Sequence, residues 1–475
     1  MNAIEEKCKA KGVRLTDQRK IIAQVMSDSK VKYGAKDHPD VDELHKRVSQ
    51  VDNKISIATV YRTVKLFEES GILEKHDFKG GKARYEQSPD EHHDHLIDIN
   101  SGEIIEFVDK HIEKLQIEVA KKLGYKEVST GRMAINPVDY DDRLACQQTG
   151  FCFQGCKWGA KWSAAYTDIP RGEATGNLEV RENAQVARIL HNDEGKVTGV
   201  EYFDKDGALQ MQKARVVCVA GNSLESPRML LNSASAMFPD GLANSSGMVG
   251  KNYMRHMTGS VYAAFDKPVR MWRGTTMAGI IQDEARHDPS RGFVGGYELE
   301  TLGLGVPFMA AFLDPGAWGR SFTSAMDSYE NMAGMWIVGE DMPQESNRVT
   351  LNNEVKDQWG LPVANVHFTD HPNDIAMRNH AYQQGKAVYE AVGATRTFPT
   401  PPYPSTHNLG TNRMSAKVQD GVVNKWGQSH DIDNLFISDG SQFTTGAAEN
   451  PTLTIVSLAI RQADRIASEM SQKNL

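Results

Sequence analysis

Cysteine is scarce in this chain of 475 residues: five are present, thinly spread and odd in number. That argues against a disulfide framework and for a reducing compartment, so a cytoplasmic setting is expected. Long apolar runs are missing too, and nothing approaches the ~20 residues that span a bilayer. The opening Met1–Lys11 has no apolar stretch of the signal-peptide kind. Charge of one sign does not dominate: 54 Lys/Arg and 62 Asp/Glu give −8, which would discourage nucleic acid if spread evenly. It is not spread evenly. Residues 1–84 hold 18 Lys/Arg and 13 Asp/Glu, a local +5, so the N-terminal part has a different electrostatic partner from the rest.

At that length more than one domain is expected. The stretch Leu123–Asp142 marks the change. Before it the chain is charged, helix-rich and dotted with histidines; after it the chain is rich in Gly, Trp, Met and Asn. The stretch lacks the Gly/Ser repeats or Pro runs of a linker. Tyr125–Val128 reads as the start of a strand without a continuation.

In the first part, Thr16 is placed to cap a helix with Ile21, Ile22, Val25 and Met26 on one face. Asp40 caps a second, with Val41, Leu44 and Val48 inward. Ser56 opens a third, with Ile57, Val60, Val64 and Phe67 inward and Gly71 as its stop. Strands at 72–78 and 82–86, turned at Gly80–Gly81, complete a winged helix-turn-helix. Its third helix would present Thr59, Tyr61, Arg62 and Lys65 to a major groove, where Arg reads guanine and Lys neutralises phosphate. A merely solvated helix face is the alternative, and the wing and the positive balance weigh against it. His92, His93, Asp94 and His95 then stand in a row at the head of an apolar strand. Alternation divides them between two faces, which suits two sites for Fe, Mn or Zn.

Residues 1–128 resemble the ferric uptake regulator family, through 14–19 (Arg-Leu-Thr-Asp-Gln-Arg), 56–65, 80–86 and 92–97. The resemblance implies a homodimeric, metal-responsive repressor of AT-rich palindromes. It places His38, Glu86, His93, His95 and Glu106 at a regulatory site holding Fe2+, Mn2+ or Zn2+. His92, Asp94 and Glu113 match a second site. Arg14 and Arg19 fall in a basic DNA-contacting segment, and Tyr61 and Arg62 match base and phosphate contacts. Asp98 and Ser101 stand where many members carry a Cys-x-x-Cys pair, so that structural zinc is not expected. The last strand of the dimer sheet is expected to be missing after Val128. The segment 32–36 is an insertion just before His38.

In the second part, Cys146, Cys152 and Cys156 share one Gly-rich loop. They are read either as ligands of an iron–sulfur cluster or as three packed thiols. Strands are expected at 179–181, 184–191, 197–203 and 215–220, the last running into Gly221 before a helix, as at a nucleotide-binding edge. Near the end, 405–414 puts His407 in a Gly turn, and 436–455 reads strand, turn and helix start with Asn450–Pro451 at the helix N-terminus. A histidine and an asparagine on adjacent loops can take a hydroxyl proton and hold an alkoxide. A turn histidine and a helix cap are the plain alternatives.

Together with 220–227, 249–256 and Asp439–Ser441, these motifs resemble the glucose–methanol–choline (GMC) flavin oxidoreductases over 137–472. The resemblance implies an FAD-dependent dehydrogenase acting on CH–OH groups of sugars or polyols. It carries over His407 as base with Asn450 as partner, and Asp439, Gly440, Thr452 and Gly221 as contacts of FAD. Family members open with a Gly-x-Gly-x-x-Gly turn for the pyrophosphate. No such spacing occurs anywhere in this sequence.

The expected architecture is therefore multidomain, α/β and α+β. It comprises a winged helix (1–88), a truncated metal-binding and dimerisation domain (89–128), a junction (129–144) and a partial FAD-binding domain (145–262). An antiparallel-sheet substrate domain (263–392) and a catalytic, FAD-contacting segment (393–475) follow. The alternative function is a metal-dependent repressor with an inert C-terminal tail.

Overall fold

The computed structural model describes residues 2–33, 39–70, 72–77, 83–87, 94–97, 104–107, 123–129, 131, 133–305, 318–403 and 405–475. The chain forms two compact units, Met1–Leu115 and Gln116–Leu475.

The first unit has four helices, α1 (Ala3–Ala10), α2 (Asp17–Tyr33), α3 (Val41–Val51) and α4 (Ile57–Glu69). α1 is not among the sequence expectations. It is held by a capping box in which Asn2 Oδ1 accepts from Glu5 N, and it buries Ile4 and Cys8. The expected caps form: Asp40 Oδ1 accepts from Glu43 N at 2.7 Å, and Ser56 Oγ from Thr59 N at 3.3 Å. Ile22, Val25, Met26, Leu44, Val48, Val60, Val64 and Phe67 share one core. Ile57, expected inward, is 46% exposed; as the first residue of α4 it lies at the helix's open end. β1 (Leu73–Asp77) and β2 (Ala83–Gln87) pair antiparallel as a wing, and β3 (Asp94–Ile97) pairs with β4 (Ile104–Phe107). Gly71 and Gly80–Gly81 lie outside the described residues.

In the second unit, β5 (Val128–Ser129) precedes the thiol loop and the short α5 (Asp168–Ala174). β6 (Gln185–His191), β7 (Val197–Phe203) and β8 (Leu209–Lys213) form an antiparallel meander. No strand forms at 179–181, and β8, whose five residues are all exposed, escapes a reading based on apolar content. β9 (Val217–Val219) then leads into α6 (Asn222–Asn232). The substrate-side sheet uses β10 (Met257–Ala264), β11 (Ile280–Ile281), β12 (Tyr297–Thr301), β13 (Met332–Gly339) after α7 (Gly319–Asp327), and β16 (Arg396–Pro399). Its order is β16-β10-β13-β12-β11-β5. The hairpin β14 (Arg348–Lys356)–β15 (Pro362–His367) stands apart from it, and α8 (Pro372–Ala391) buries Met377, Ala381 and Val388 in the same core as the sheet. β17 (Leu435–Ile437) lies parallel to β9, and α9 (Thr452–Ser471) closes the chain.

The junction differs from its sequence expectation. Tyr125–Val128 does find a partner: Val128 and Ser129 pair with Ile281 and Ile280, closing the substrate-side sheet. Tyr125 is buried and donates from its hydroxyl to Gln384 Oε1 at 3.0 Å. The N–H groups of Lys126 and Glu127 each donate to the Asp283 carboxylate at 2.7 Å. The second unit thus begins upstream of the expected boundary at residue 128. The sequence pattern misled because a two-residue edge strand has no periodicity to read.

Candidate active site

His407 sits in the turn after Ser405, whose Oγ accepts from the His407 N–H at 3.0 Å. Its Nδ1 lies 3.0 Å from Nδ1 of His256, and His256 Nε2 lies 2.7 Å from the Gly446 carbonyl. These distances fix the protons. A carbonyl only accepts, so His256 carries its proton on Nε2, and its bare Nδ1 accepts from Nδ1–H of His407. That leaves Nε2 of His407 with a free lone pair, the arrangement of a general base. Burial, then the neighbouring His256, pushes the His407 pKa down to about 3; burial lowers that of His256 as well. Both rings are therefore neutral near pH 7.

The backbone is bent to make this contact. His256 has φ +55° and Ala447 φ +57°, left-handed values that non-glycine residues adopt at a cost. Between them in space, a Cβ on Gly446 would overlap the His256 ring. The indole of Trp336 packs on His407 with ring centroids 5.5 Å apart.

The same loop carries Asn450, whose Nδ2 donates to Glu300 Oε1 at 2.7 Å. Glu300 is fully buried on β12, directly opposite Trp336 of β13. The loop 446–450 thus touches the histidine pair through Gly446, and through Asn450 it reaches a buried acid beside the residue that packs on His407. Glu298, two residues earlier on the same face, shares this pocket. Burial first, then the proximity of Glu298, pushes Glu300 up to about 9; Glu298 is raised too, chiefly by burial. Glu300 is neutral at pH 7. Behind His256, Asp341 accepts from Arg255 N at 2.7 Å and burial raises it to about 7.

Sequence reading named His407 and Asn450 as candidates but not Glu298, Glu300, Asp341 or the contact of His256 with His407. Two glutamates at i and i+2 in an otherwise apolar strand are the signal that was available for the first pair.

Three family models match the chain: the ferric uptake regulator family over residues 10–135, and two for GMC oxidoreductases over 109–258 and 343–459. The chain belongs to the ferric uptake regulators in its N-terminal module and to the GMC oxidoreductases beyond it. It is 52% identical over 125 residues to the ferric uptake regulation protein of Rhizobium leguminosarum bv. viciae, covering 84% of that protein and 26% of this chain. It is 38% identical over 332 residues to 2-methyl-1,2-propanediol dehydrogenase of Mycolicibacterium austroafricanum. That match takes in 67% of this chain and 59% of the dehydrogenase, so the chain spans about three-fifths of this relative's length. Pyridoxine 4-oxidase from Mesorbium loti shares the fold, with a TM-score of 0.53 at 15% identity over 75% of this chain and 70% of that one.

GMC oxidoreductases use FAD, and the residues present can be tested against it. Next to Asn450, the first turn of α9 has no side-chain cap, so its N–H groups are open to an electron-rich ring edge; Thr452 is exposed there. The other end of the group fares differently. Asp439 uses both oxygens on its own chain: Oδ2 accepts from Asn222 N and Ser226 Oγ at 2.9 and 2.5 Å, and Oδ1 from Ser441 N and Oγ at 2.9 and 2.5 Å. It ties the Gly221–Asn222 turn to Gly440 instead of offering a free carboxylate. With no Gly-x-Gly-x-x-Gly in the sequence, the pyrophosphate has no glycine turn. The chain fits the flavin end of the group and does not fit its dinucleotide tail.

In the first module, α4 exposes Tyr61 (55%), Arg62 and Lys65 on the side away from Val60, Val64 and Phe67, with Thr59 half-buried. Arg14 is exposed, and Arg19 donates to its carbonyl at 2.9 Å. Of the expected metal ligands, His38, His92, His93 and Glu113 lie outside the described residues. Asp94 and His95 are on β3, Glu106 on β4 directly opposite His95, and Glu86 on β2. Cys156 accepts from Lys161 N and Cys146 from Gln148 N, and among the described residues no three ligand side chains gather for a metal. Among the described residues, too, no helix is long and apolar enough to cross a membrane.

Proposed function

We propose that the second module is the substrate half of an alcohol-oxidising site, with His407 as the base that takes a hydroxyl proton from a small polyol or sugar. The observation that carries this is the fixed tautomer: Gly446 O holds His256, His256 holds His407, and Nε2 of His407 is left free. Its low basicity keeps it unprotonated through the physiological range. Asn450, held by neutral Glu300 through Nδ2, has Oδ1 without a partner among the described residues, an acceptor placed to orient a substrate hydroxyl. The diol substrate named for the Mycolicibacterium relative makes vicinal diols the first substrates to try.

Nitrogen-15 NMR of histidine-labelled full chain tests the assignment without any flavin. The expected result is Nε2–H on His256, Nδ1–H on His407, and no protonation of His407 down to about pH 4, well below the ~6.5 of free histidine. An Nε2–H tautomer on His407 would remove the base.

A second activity is favoured by the exposed face of α4. We infer that the first module binds DNA through Tyr61, Arg62 and Lys65, with Mn2+ or Fe2+ held by the β2–β4 region, on an AT-rich palindrome and as a dimer. Gel shifts with metal and with chelator check it. Arg62→Ala should weaken specific binding by about 1–3 kcal/mol. Equal retardation of every DNA sequence, indifferent to chelator, would remove the regulator reading.

A further inference from the structure

The central strands of the substrate-side sheet separate two kinds of side chain. On β13, Met335 and Ile337 turn to the apolar core shared with α8. Alternation sends Trp336 to the opposite face, where the register sets it directly across from Ser260 of β10 and Glu300 of β12. That face is polar, and most of its groups are engaged. Thr258 Oγ1 donates to the Tyr403 carbonyl at 2.7 Å, and Ser260 Oγ and the Tyr403 hydroxyl bond at 2.6 Å. Gln282 Nε2 donates to Glu298 Oε2 at 3.4 Å.

Around His407, three polar atoms are buried without a hydrogen-bond partner among the described residues: Trp336 Nε1, Glu300 Oε2 and Asn450 Oδ1. Glu300 is a neutral acid with Glu298 alongside to receive its proton. The other two are orphans of a different kind. The Tyr403 hydroxyl is near enough to feel the indole N–H, yet it lies outside hydrogen-bond geometry and is bonded to Ser260. Asn450 is fixed the way round: its Nδ2 lies against two acceptors, Glu300 Oε1 at 2.7 Å and Met277 Sδ at 3.5 Å, so Oδ1 is the open end. Shielded from water and unpaired, Nε1 and Oδ1 are destabilising where they stand, and a ligand that pairs both removes that cost.

We propose that Trp336 is a specificity-determining residue, reading a second, uncharged hydroxyl on the carbon next to the one whose hydroxyl gives its proton to His407. The proposal rests on the alcohol-oxidising reading of the site. The two orphaned atoms are of opposite kind: an indole N–H only donates and an amide oxygen only accepts. A hydroxyl does both, so it bridges them, accepting from Trp336 and donating to Asn450. A carboxylate has no proton for Oδ1, and an ammonium has no lone pair for the indole N–H. Such a site selects vicinal diols over monohydric alcohols, amino alcohols and hydroxy acids, because each of these leaves at least one buried atom unpaired. The Trp336 ring packs on His407 with centroids 5.5 Å apart, which keeps the second hydroxyl close to the reacting one.

Binding titrations of the full chain, labelled with nitrogen-15 at its tryptophans and followed by NMR, test this. The diol named for the relative, 2-methyl-1,2-propanediol, is compared with isobutanol, aminomethylpropanol and hydroxypivalate. These carry a hydrogen, an ammonium or a carboxylate in place of its second hydroxyl. The diol should move one indole N–H signal, the one missing from Trp336→Phe, and the other three should bind about tenfold more weakly or worse. Trp336→Phe keeps a ring against His407, and circular dichroism checks its fold. It should weaken the diol about tenfold and leave isobutanol unchanged. Should the variant misfold, the ligand series on the parent chain decides by itself. Equal binding of diol and isobutanol, or no binding of the diol, overturns the proposal. So does tighter binding of hydroxypivalate, which would mean that two donors face the ligand. The histidine tautomers separate this outcome from the reading beneath it. Diol selectivity with Nε2–H on His407 leaves the hydroxyl reader in place and removes the base. The expected tautomers without diol selectivity keep the base and remove the role of Trp336.

Discussion

Two of the second module's sheets are completed to different degrees. The antiparallel one has six strands, and even its far edge is closed by β5, borrowed from the junction. The parallel one has two strands among the described residues, and no described strand joins the outer side of β9. Both sheets are built by the same unit, so the difference lies in where their strands come from. Every strand of the antiparallel sheet is supplied between residues 128 and 399. A parallel sheet needs crossovers, and strands for it must come from distant parts of the chain. The first module, by contrast, closes a core of its own from Ile4 to Tyr85.

Substitutions in the two sheets and the first module should therefore have unequal effects. The largest is expected inside the antiparallel sheet. Tyr297 is fully buried and its hydroxyl pairs with His380 Nδ1 at 2.8 Å. Tyr297→Ala should cost about 3–5 kcal/mol, as large-to-small core changes do. Calorimetry should show the second unit's transition lost and the first unit's unmoved; a shared loss would mean that the units do not fold separately.

Glu300→Gln comes next and sharpens the site. A carboxyl whose folded pKa is raised to about 9 keeps its proton where the unfolded chain, titrating near 4.5, has released it. Its burial therefore costs nothing below about pH 4 and costs progressively more as pH rises from there to about 9. The glutamine variant should match the parent at pH 4 and exceed it at pH 8 by on the order of 2 kcal/mol. Chemical denaturation at the two pH values decides. Equal stability at both would mean that Glu300 is ionised in the folded state.

A smaller effect is expected from Asp40→Ala, which removes the N-cap of α3. About 1 kcal/mol should be lost, and only from the first unit's transition. Smallest of all, Ile460→Glu on α9, where Ile460 is 60% exposed, should change the stability of the chain by less than about 0.5 kcal/mol. A loss of several kcal/mol would show that this face is already covered, and the contrast between the two sheets would fall.

Much of the site was legible because its motifs are local. His407 in its Gly turn and Asn450 before Pro451 each sit within a few residues of their own signal. Their partners were not legible. His256 reaches His407 across 151 residues and Glu300 reaches Asn450 across 150. No spacing rule announces a hydrogen bond over that distance. The cysteine loop left two readings open in sequence, a cluster and three packed thiols, and only the structure shows that among the described residues its thiols are not gathered as a metal site.

The sequence alone determined the two families, three of the four helices of the first module with the caps Asp40 and Ser56, and the absence of a Gly-x-Gly-x-x-Gly turn, because each is written in short-range pattern. Tertiary structure decided the rest. It set which nitrogen of His407 is free, made a neutral acid of Glu300 by removing it from water, and turned Val128–Ser129 from an orphan into the last strand of a sheet. It also showed that no described strand joins the outer side of β9. Protonation, pairing and exposure depend on what lies opposite a residue, and that is settled only when distant segments meet.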